Sequence, residues 1–235
     1  MKIIHFNELD STNKYIKRNI NELGHLTVVV CDKQTSGVGR VSHIWESEEN
    51  KNLTFSILIK EKVREDITLF IGYLVHKLLN KYHINSLIKW PNDIIVNDKK
   101  ICGILVEAIW SKDVNYIIGI GINVNQEVFN NLNATSIKNE INAEINIQIL
   151  LDEFLSLFKA EFCKFNQKMI KITDYINEYS YLNNEVVSFI YNNQEVTGIV
   201  KNINEDGSIK IILENNQEIN LVSGEVNKIR KKVYN

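Results

Sequence analysis

Residues 87–124 read LIKWPNDIIVNDKKICGILVEAIWSKDVNYIIGIGINV. Three short apolar runs, Leu87–Trp90, Ile94–Val96 and Ile101–Ile109, are followed by a fourth, Tyr116–Val124. Each is rich in β-branched residues and bounded by polar or turn-forming ones, which is the pattern of strands. Asn97-Asp98-Lys99-Lys100 forms a tight polar turn, so the second and third runs make an antiparallel hairpin. The only proline of the chain, Pro91, stands between a strand and a turn, where its fixed φ exposes the strand end.

Working outward, Ile3–Phe6 reads as a short strand. Ser11-Thr12-Asn13 supplies capping side chains for a helix carrying Tyr15, Ile16 and Ile20 and stopped by Gly24. Leu26–Cys31 and Leu53–Lys60 are strands, residues 34–45 a polar, glycine-bearing loop, and Ile67–Tyr82 a helix. Residues 147–170 place Ile149, Leu150, Phe154, Leu157, Phe158, Phe162 and Phe165 on one helical stripe, which reads as core packing. After Tyr181 the character changes. Val186–Ile190, Gln194–Ile203, Ser208–Leu213 and Glu218–Val222 alternate apolar and polar residues, with turns at Asn192-Asn193, Glu205-Asp206-Gly207 and Asn215-Asn216. Such spacing makes a small β-barrel or sandwich. We therefore expect two units, residues 1–181 and 182–235. No Pro-, Gly- or Ser-rich linker separates them, so rigid packing is expected. Lys228, Arg230, Lys231 and Lys232 read as a solvated basic tail.

The 235 residues carry 27 Lys and Arg against 29 Asp and Glu, a net charge of −2. That balance argues against the broad basic surface of a dedicated nucleic-acid binder. Cys31, Cys102 and Cys163 are odd in number and far apart, which argues against a disulfide framework or zinc ribbon and for a reducing, cytoplasmic setting. No apolar run approaches the roughly 20 residues of a bilayer span, and Met1–Asp10 turns polar too soon for a signal peptide.

Four segments carry candidate chemistry. Gly37-Val38-Gly39-Arg40 lets a backbone approach an anion and adds a forked cation, although a surface loop with a solvated arginine satisfies it equally. Lys89 ends a buried strand, so its ammonium needs a partner; a bound carboxylate or phosphate serves, as does water at the sheet edge. Gly119 and Gly121 share one strand face by the period of two. With Gly103 they clear a floor for a flat ligand or for a packed helix. His5, His25, His43, His76 and His83 show no metal-binding spacing, no GxSxG elbow is present, and none of the cysteines has an evident activating base.

The order of the motifs is more specific than any one of them. Ser11-Thr12-Asn13 is followed by Gln34, Gly37-x-Gly39-Arg40 and Trp45. Lys89-Trp90-Pro91-Asn92-Asp93-Ile94 comes next, then Gly103-Ile104-Leu105-Val106-Glu107, Gly119-x-Gly121-Ile122-Asn123, and Ser223-Gly224-Glu225-Val226. This series resembles the biotin protein ligases, essentially end to end. The resemblance implies an α+β fold: a mixed β-sheet backed by helices, as in the class II synthetase-like biotin/lipoate ligase core, followed by a C-terminal SH3-like β-barrel. It also implies a two-step reaction in which biotin and ATP with Mg²⁺ give biotinyl-5′-adenylate. A lysine of the biotin carboxyl carrier domain of a biotin-dependent carboxylase then attacks, releasing AMP.

By the same resemblance Ser11, Thr12, Asn13 and Gln34 match positions that bind the ureido ring, and Trp45 the aromatic wall. Gly37, Val38, Gly39 and Arg40 match the loop over the adenylate. Arg40 faces carboxylate and α-phosphate, Lys89 bridges the two, Gly119 and Gly121 lie beneath biotin with Gly103 on the same floor, and Asn123 reaches toward adenine. Arg40 and Lys89 are thus the expected catalytic cations. Asp93 is left with three readings: a Mg²⁺ ligand, a group positioning the incoming lysine, or a turn cap. The chain departs from some members by Val38 in place of a second arginine and by Ser42 in place of glycine. Only ten residues precede Ser11, too few for the helix-turn-helix of bifunctional members, so a ligase without repressor activity or DNA binding is expected, as monomer or homodimer. The rivals are a lipoate- or octanoate-protein ligase of the same fold, and a non-enzymatic biotin-sensing or nucleic-acid-binding module.

Overall fold

A computed structural model describes residues 1–40, 44–110, 114–130, 133–191, 194–223 and 229–232. In chain order it begins with β1 (Lys2–Leu9), α1 (Thr12–Arg18), β2 (Thr27–Gln34), β3 (Gly37–Val38), β4 (Ile44–Trp45), β5 (Asn52–Ile59) and α2 (Ile67–Lys81). Then come β6 (Leu87–Lys89), β7 (Asp93–Val96), β8 (Lys99–Trp110), β9 (Val114–Asn123), α3 (Ile137–Ile141), α4 (Ile147–Asn166) and α5 (Thr173–Glu178). The last strands are β10 (Val186–Tyr191), β11 (Gln194–Ile203), β12 (Ile209–Leu213), β13 (Glu218–Leu221) and β14 (Ile229–Lys231).

The main sheet has the order β1-β2-β5-β9-β8-β7-β6. Only the β1–β2 pair is parallel, so the sheet is mixed, as expected. The β7–β8 hairpin turns at Asn97 and Asp98, both with positive φ (48° and 61°), the geometry of a two-residue turn that follows strand twist. Strand β5 is buried along its whole length because both faces are covered. Leu53, Phe55, Ile57 and Ile59 join the core with α2 and α4, while Leu58 packs with Ile16 of α1 on the opposite face. Helix α1 is short and covers only part of that face. The uncovered remainder is where the glycines lie.

Four phenylalanines of α4, at 154, 158, 162 and 165, are buried as the stripe implies, and Phe70 of α2 stacks on Phe165 with ring centroids 4.1 Å apart. Burying such a side chain contributes about 1.5–3 kcal/mol. Ile149 departs from the stripe and is 55% exposed, because it lies in the first turn, ahead of the packed segment. Helix α1 ends at Arg18 rather than at Gly24, with Asn19 Nδ2 donating to Tyr15 O at 2.8 Å. Within the segment read as loop, Gly37 and Val38 pair with Trp45 and Ile44.

The C-terminal strands form a five-stranded antiparallel sheet of order β13-β12-β11-β10-β14. Its Val187, Phe189, Val200 and Ile211 belong to the same continuous core as Phe70 and Phe154. The backbone before it also closes the main sheet's edge. Ile88 N donates to Tyr179 O at 2.8 Å and Tyr181 N to Ile88 O at 2.9 Å. Residues 229–231, read from sequence as part of a solvated tail, are instead strand β14 paired to β10, since Ile229 is buried and anchors the run. No helix among the described residues is long and apolar enough to cross a membrane.

Candidate active site

On the uncovered face of the main sheet, between α1, the β3–β4 hairpin, the β6–β7 turn and β14, lies a cavity of about 230 Å³. At about 30 Å³ per water, that is room for a small organic molecule. Its walls differ in chemistry from one end to the other.

The first end is polar and uncharged, built by Ser11, Thr12, Asn13 and Gln34. Ser11 is the N-cap of α1 by backbone geometry, yet its side chain makes no capping bond. The expected capping role is absent and the hydroxyl lines the cavity. The adjoining turn is tied down by Asp10, which accepts from Ser11 N at 2.8 Å and takes a bidentate grip from Arg18 at 2.6 and 2.8 Å. That guanidinium holds the Asp10 carboxyl down at about 2. Gln34 Oε1 accepts from Thr12 N at 2.8 Å and lies 3.2 Å from Thr12 Oγ1, locking the amide against the helix start.

The opposite end is cationic. Arg40, Lys89, Lys100 and Arg230 all line it, against the single carboxylate of Asp93. Four cations and one anion leave a local charge of 4 − 1 = +3 on a chain whose overall charge is −2. Burial pulls the Lys89 ammonium below its ordinary pKa; Asp93 opposes the shift, and Lys100, Arg230 and Lys231 reinforce it by repulsion. Burial likewise lowers Arg40, with Asp93 opposing. A bound anion would relieve the strain on both. Arg40 is held in place by Nη2 donating to Ser223 O at 2.6 Å and Nη1 to Asn92 Oδ1 at 3.3 Å. Asn92 in turn donates to Ile104 O at 2.9 Å, fixing the turn after Lys89 to β8.

Between the two ends Trp45 and Leu105 stand on the glycine face, while Phe55 and Ile120 back it from the core side of the sheet. The register sets Gly103 opposite Gly121 and Ser56 opposite Gly119, so the cleared patch spans three strands. The patch is already covered. A Cβ on Gly121 would sit 2.3 Å from Trp45 Cε2, and one on Gly119 2.4 Å from Asn13 Oδ1. The glycines therefore make room for two side chains of the site, Asn13 and Trp45.

Of the residues expected from sequence, Ser11, Thr12, Asn13, Gln34, Val38, Gly39, Arg40, Trp45, Lys89, Asp93, Gly103, Gly119 and Gly121 all line this cavity. Gly37 and Asn123 do not. Gly37 is packed under Trp45, where a Cβ would meet Trp45 O at 2.5 Å. Asn123 is buried and gives its Nδ2 to Thr135 O at 2.9 Å. Ser42 and Gly224-Glu225-Val226 lie outside the described residues. Asp93 is committed to an ion pair with Lys100 at 2.7 Å. No cluster of three His, Cys, Asp or Glu side chains that could hold a metal occurs among the described residues. A Mg²⁺ carried on nucleotide phosphates needs one or two carboxylates rather than such a cluster, and Asp93 is the carboxylate of the cavity lining that would meet it; no step below runs through a metal. The sequence reading missed Lys100, placed in a turn, and Arg230, placed in a tail; the Lys99-Lys100 pair and the Lys228–Lys232 run were the local signals.

A mixed sheet thus carries a neutral polar subsite and a cationic subsite at the two ends of one cavity. Residues 6–125 match the family model described as Biotin/lipoate A/B protein ligase family, and the chain belongs to that family. Within it the likeness is to biotin ligases. The structure superposes on the biotin protein ligase from Aquifex aeolicus in complex with biotin and ATP with a TM-score of 0.87 and 29% identity, covering 98% of this chain and 99% of that one. The bifunctional ligase/repressor BirA of Bacillus subtilis (strain 168) is 38% identical over 133 residues, 53% of this chain and 41% of the relative. The BirA of Escherichia coli (strain K12) is 28% identical over 221 residues, 86% of this chain and 66% of the relative. The chain thus spans less than two thirds of the length of these two curated relatives.

Proposed function

We propose that this chain is an ATP-dependent biotin–protein ligase that joins biotin to a specific lysine of a biotin carboxyl carrier domain through biotinyl-5′-adenylate. The observation that carries the reading is that one cavity has a neutral, hydrogen-bonding end at Ser11, Thr12 and Gln34 and a cationic end at Arg40 and Lys89. A ureido ring needs the first and a carboxylate beside a phosphate needs the second.

In the first step a carboxylate oxygen of biotin attacks the α-phosphorus of ATP; the new O–P bond forms as the bond to pyrophosphate breaks. Two anions must approach each other, so their repulsion is the barrier to be lowered. Lys89 and Arg40, held in a half-buried setting, neutralise both partners with little reorganisation. In the second step the neutral amine of the acceptor lysine attacks the acyl carbon, and the carbon–oxygen bond to AMP breaks. The amine's surplus proton leaves to solvent. No side-chain nucleophile takes part; no Cys is among the described residues that line the cavity.

The similar Aquifex ligase, which binds biotin and ATP, supports the substrate assignment. Lipoate and octanoate are disfavoured by the neutral polar end, because neither carries ring N–H groups for Thr12 and Gln34 to meet. The unpaired Cys31, Cys102 and Cys163 suit a reducing cytoplasm. The test is pyrophosphate release from labelled ATP with biotin, lipoate or octanoate, followed by mass analysis of an added carrier domain. Biotin-dependent release and a biotinylated carrier are expected; release with lipoate alone would overturn the assignment.

A further inference from the structure

A chain of buried polar side chains runs under the neutral end of the cavity and emerges on the far side of α1. Asn13, 4% exposed, fills the space left by the missing side chain of Gly119. Its Nδ2 donates to Glu107 Oε2 at 2.8 Å. Ser56 Oγ lies 2.6 Å from Asn13 Oδ1 and 2.6 Å from Thr12 Oγ1.

The order of protons along this chain is set by its last member. A carboxylate only accepts, so Glu107 fixes the Asn13 amide with its NH₂ toward β8 and its oxygen toward Ser56. Asn13 Oδ1 also only accepts, and Ser56 has one proton, which therefore goes to Asn13. The Thr12 hydroxyl must then spend its own proton inside the protein, on Ser56 Oγ or on Gln34 Oε1. Toward the cavity it offers lone pairs alone. Were the amide reversed, the Ser56 proton would go to Thr12, and the Thr12 proton would be free to point into the cavity against a ligand N–H.

We infer that Glu107 is a positioning residue for the ligand's ring: through Asn13 and Ser56 it keeps the Thr12 hydroxyl an acceptor, matched to a ureido N–H donor. The inference rests on the biotin reading above and adds to it the residue that sets the polarity of the subsite. Glu107 touches no part of the cavity itself. Among the described residues it also meets Lys17 at 3.9 Å, with side chains 33% and 56% exposed, a pair that solvent screens and that contributes little to stability.

Two substitutions separate polarity from packing. Glu107→Met keeps the length and removes the acceptor; Glu107→Gln keeps an acceptor oxygen. Steady-state pyrophosphate release, with biotin and ATP varied separately, reads both. Glu107→Met should raise the KM for biotin about tenfold or more, the scale of a lost or reversed hydrogen bond in a buried site. The KM for ATP and kcat should stay within about twofold, and Glu107→Gln should keep the biotin KM within about threefold. An unchanged biotin KM in Glu107→Met, an equal rise for ATP, or equal damage in both variants would overturn the positioning role. A wild-type protein without biotin-dependent release would instead overturn the proposed function, so the two failures are distinct. If Glu107→Met does not fold, Glu107 is structural and the inference falls.

Discussion

The indole Nε1 of Trp90 donates to Gly207 O at 2.9 Å, joining the residue after Lys89 to a turn of the C-terminal sheet. Trp90 is 1% exposed. Gly207 has φ of +83°, and a Cβ there would approach Asp66 Cβ to 3.0 Å. The second sheet therefore braces the strand end that carries the central cation of the site. Two variants test the brace. Trp90→Phe removes the donor and should lower stability by about 1–3 kcal/mol, the cost of leaving Gly207 O unpaired. Gly207→Ala forces a strained backbone and a steric shift, with a loss of about 1–3 kcal/mol. Urea unfolding measures both. Each should also slow adenylate formation, because Lys89 loses its support; unaltered kinetics in a destabilised Trp90→Phe would show that the brace is structural only.

Arg40 and Lys89 reach the cavity from different elements, a loop beside β3 and the end of β6. Lys89→Ala and Arg40→Ala should each reduce biotin-dependent pyrophosphate release by about a hundredfold or more, the usual loss when a charge-stabilising group is removed. Far-ultraviolet circular dichroism should be unchanged, since both side chains are only half buried. Near-normal release in either variant would remove that residue from the mechanism.

His76 supplies a pH test independent of catalysis. It is 1% exposed, with Nε2 3.1 Å from Ser86 O and Nδ1 3.0 Å from Tyr175 OH. Burial drives its pKa from 6.5 down to about 4, so the folded protein holds it neutral. The unfolded chain takes up the proton first as pH falls. Stability is therefore complete above pH 6.5 and is lost between 6.5 and about 4, by about 3 kcal/mol in all. Asp10, held down at about 2, changes stability only below its ordinary value of 3.8, so it does not confuse this window. Urea unfolding at pH 7 and pH 5 should differ in wild type and differ much less in His76→Gln.

The sequence made the strands and long helices legible because burial on two faces leaves runs such as residues 53–59, and a 3.6-residue period marks α2 and α4. It did not disclose α3 and α5, of five and six residues, which are too short to show a period. The order of motifs brought thirteen of the expected site residues to one cavity. What it could not show is tertiary in origin. Arg230 looks like part of a charged tail until the pairing of Ser188 with Arg230 turns it to the cavity rim. Glu107 lies 94 positions from its partner Asn13, so nothing local announces the contact. Asn123, in the GIGIN motif, is buried with its Nδ2 donating to Thr135 O, a contact the motif does not announce.

Gly119 and Gly121 look interchangeable in sequence and should behave differently when replaced by alanine. At Gly119 the new Cβ meets Asn13 Oδ1 at 2.4 Å, and Asn13 has nowhere to go: it is buried and bonded to Ser56 and Glu107. Gly119→Ala should break that network, lowering stability by about 1–3 kcal/mol per buried polar group left unpaired and weakening biotin binding together with it. At Gly121 the Cβ meets the Trp45 ring at 2.3 Å, and Trp45 is borne by the two-residue strand β4, half-buried at the cavity wall. The indole can swing outward, so the fold should keep its thermal midpoint to within a few degrees, on the scale of about 2–4 °C per kcal/mol for a chain of this size. Biotin binding should nonetheless fall about tenfold, since the displaced ring no longer walls the apolar part of the ligand. Calorimetric unfolding and biotin titration of the two variants decide the matter. Equal thermal losses would mean that Trp45 is as rigidly held as Asn13, and that the glycine floor serves packing before it serves the ligand.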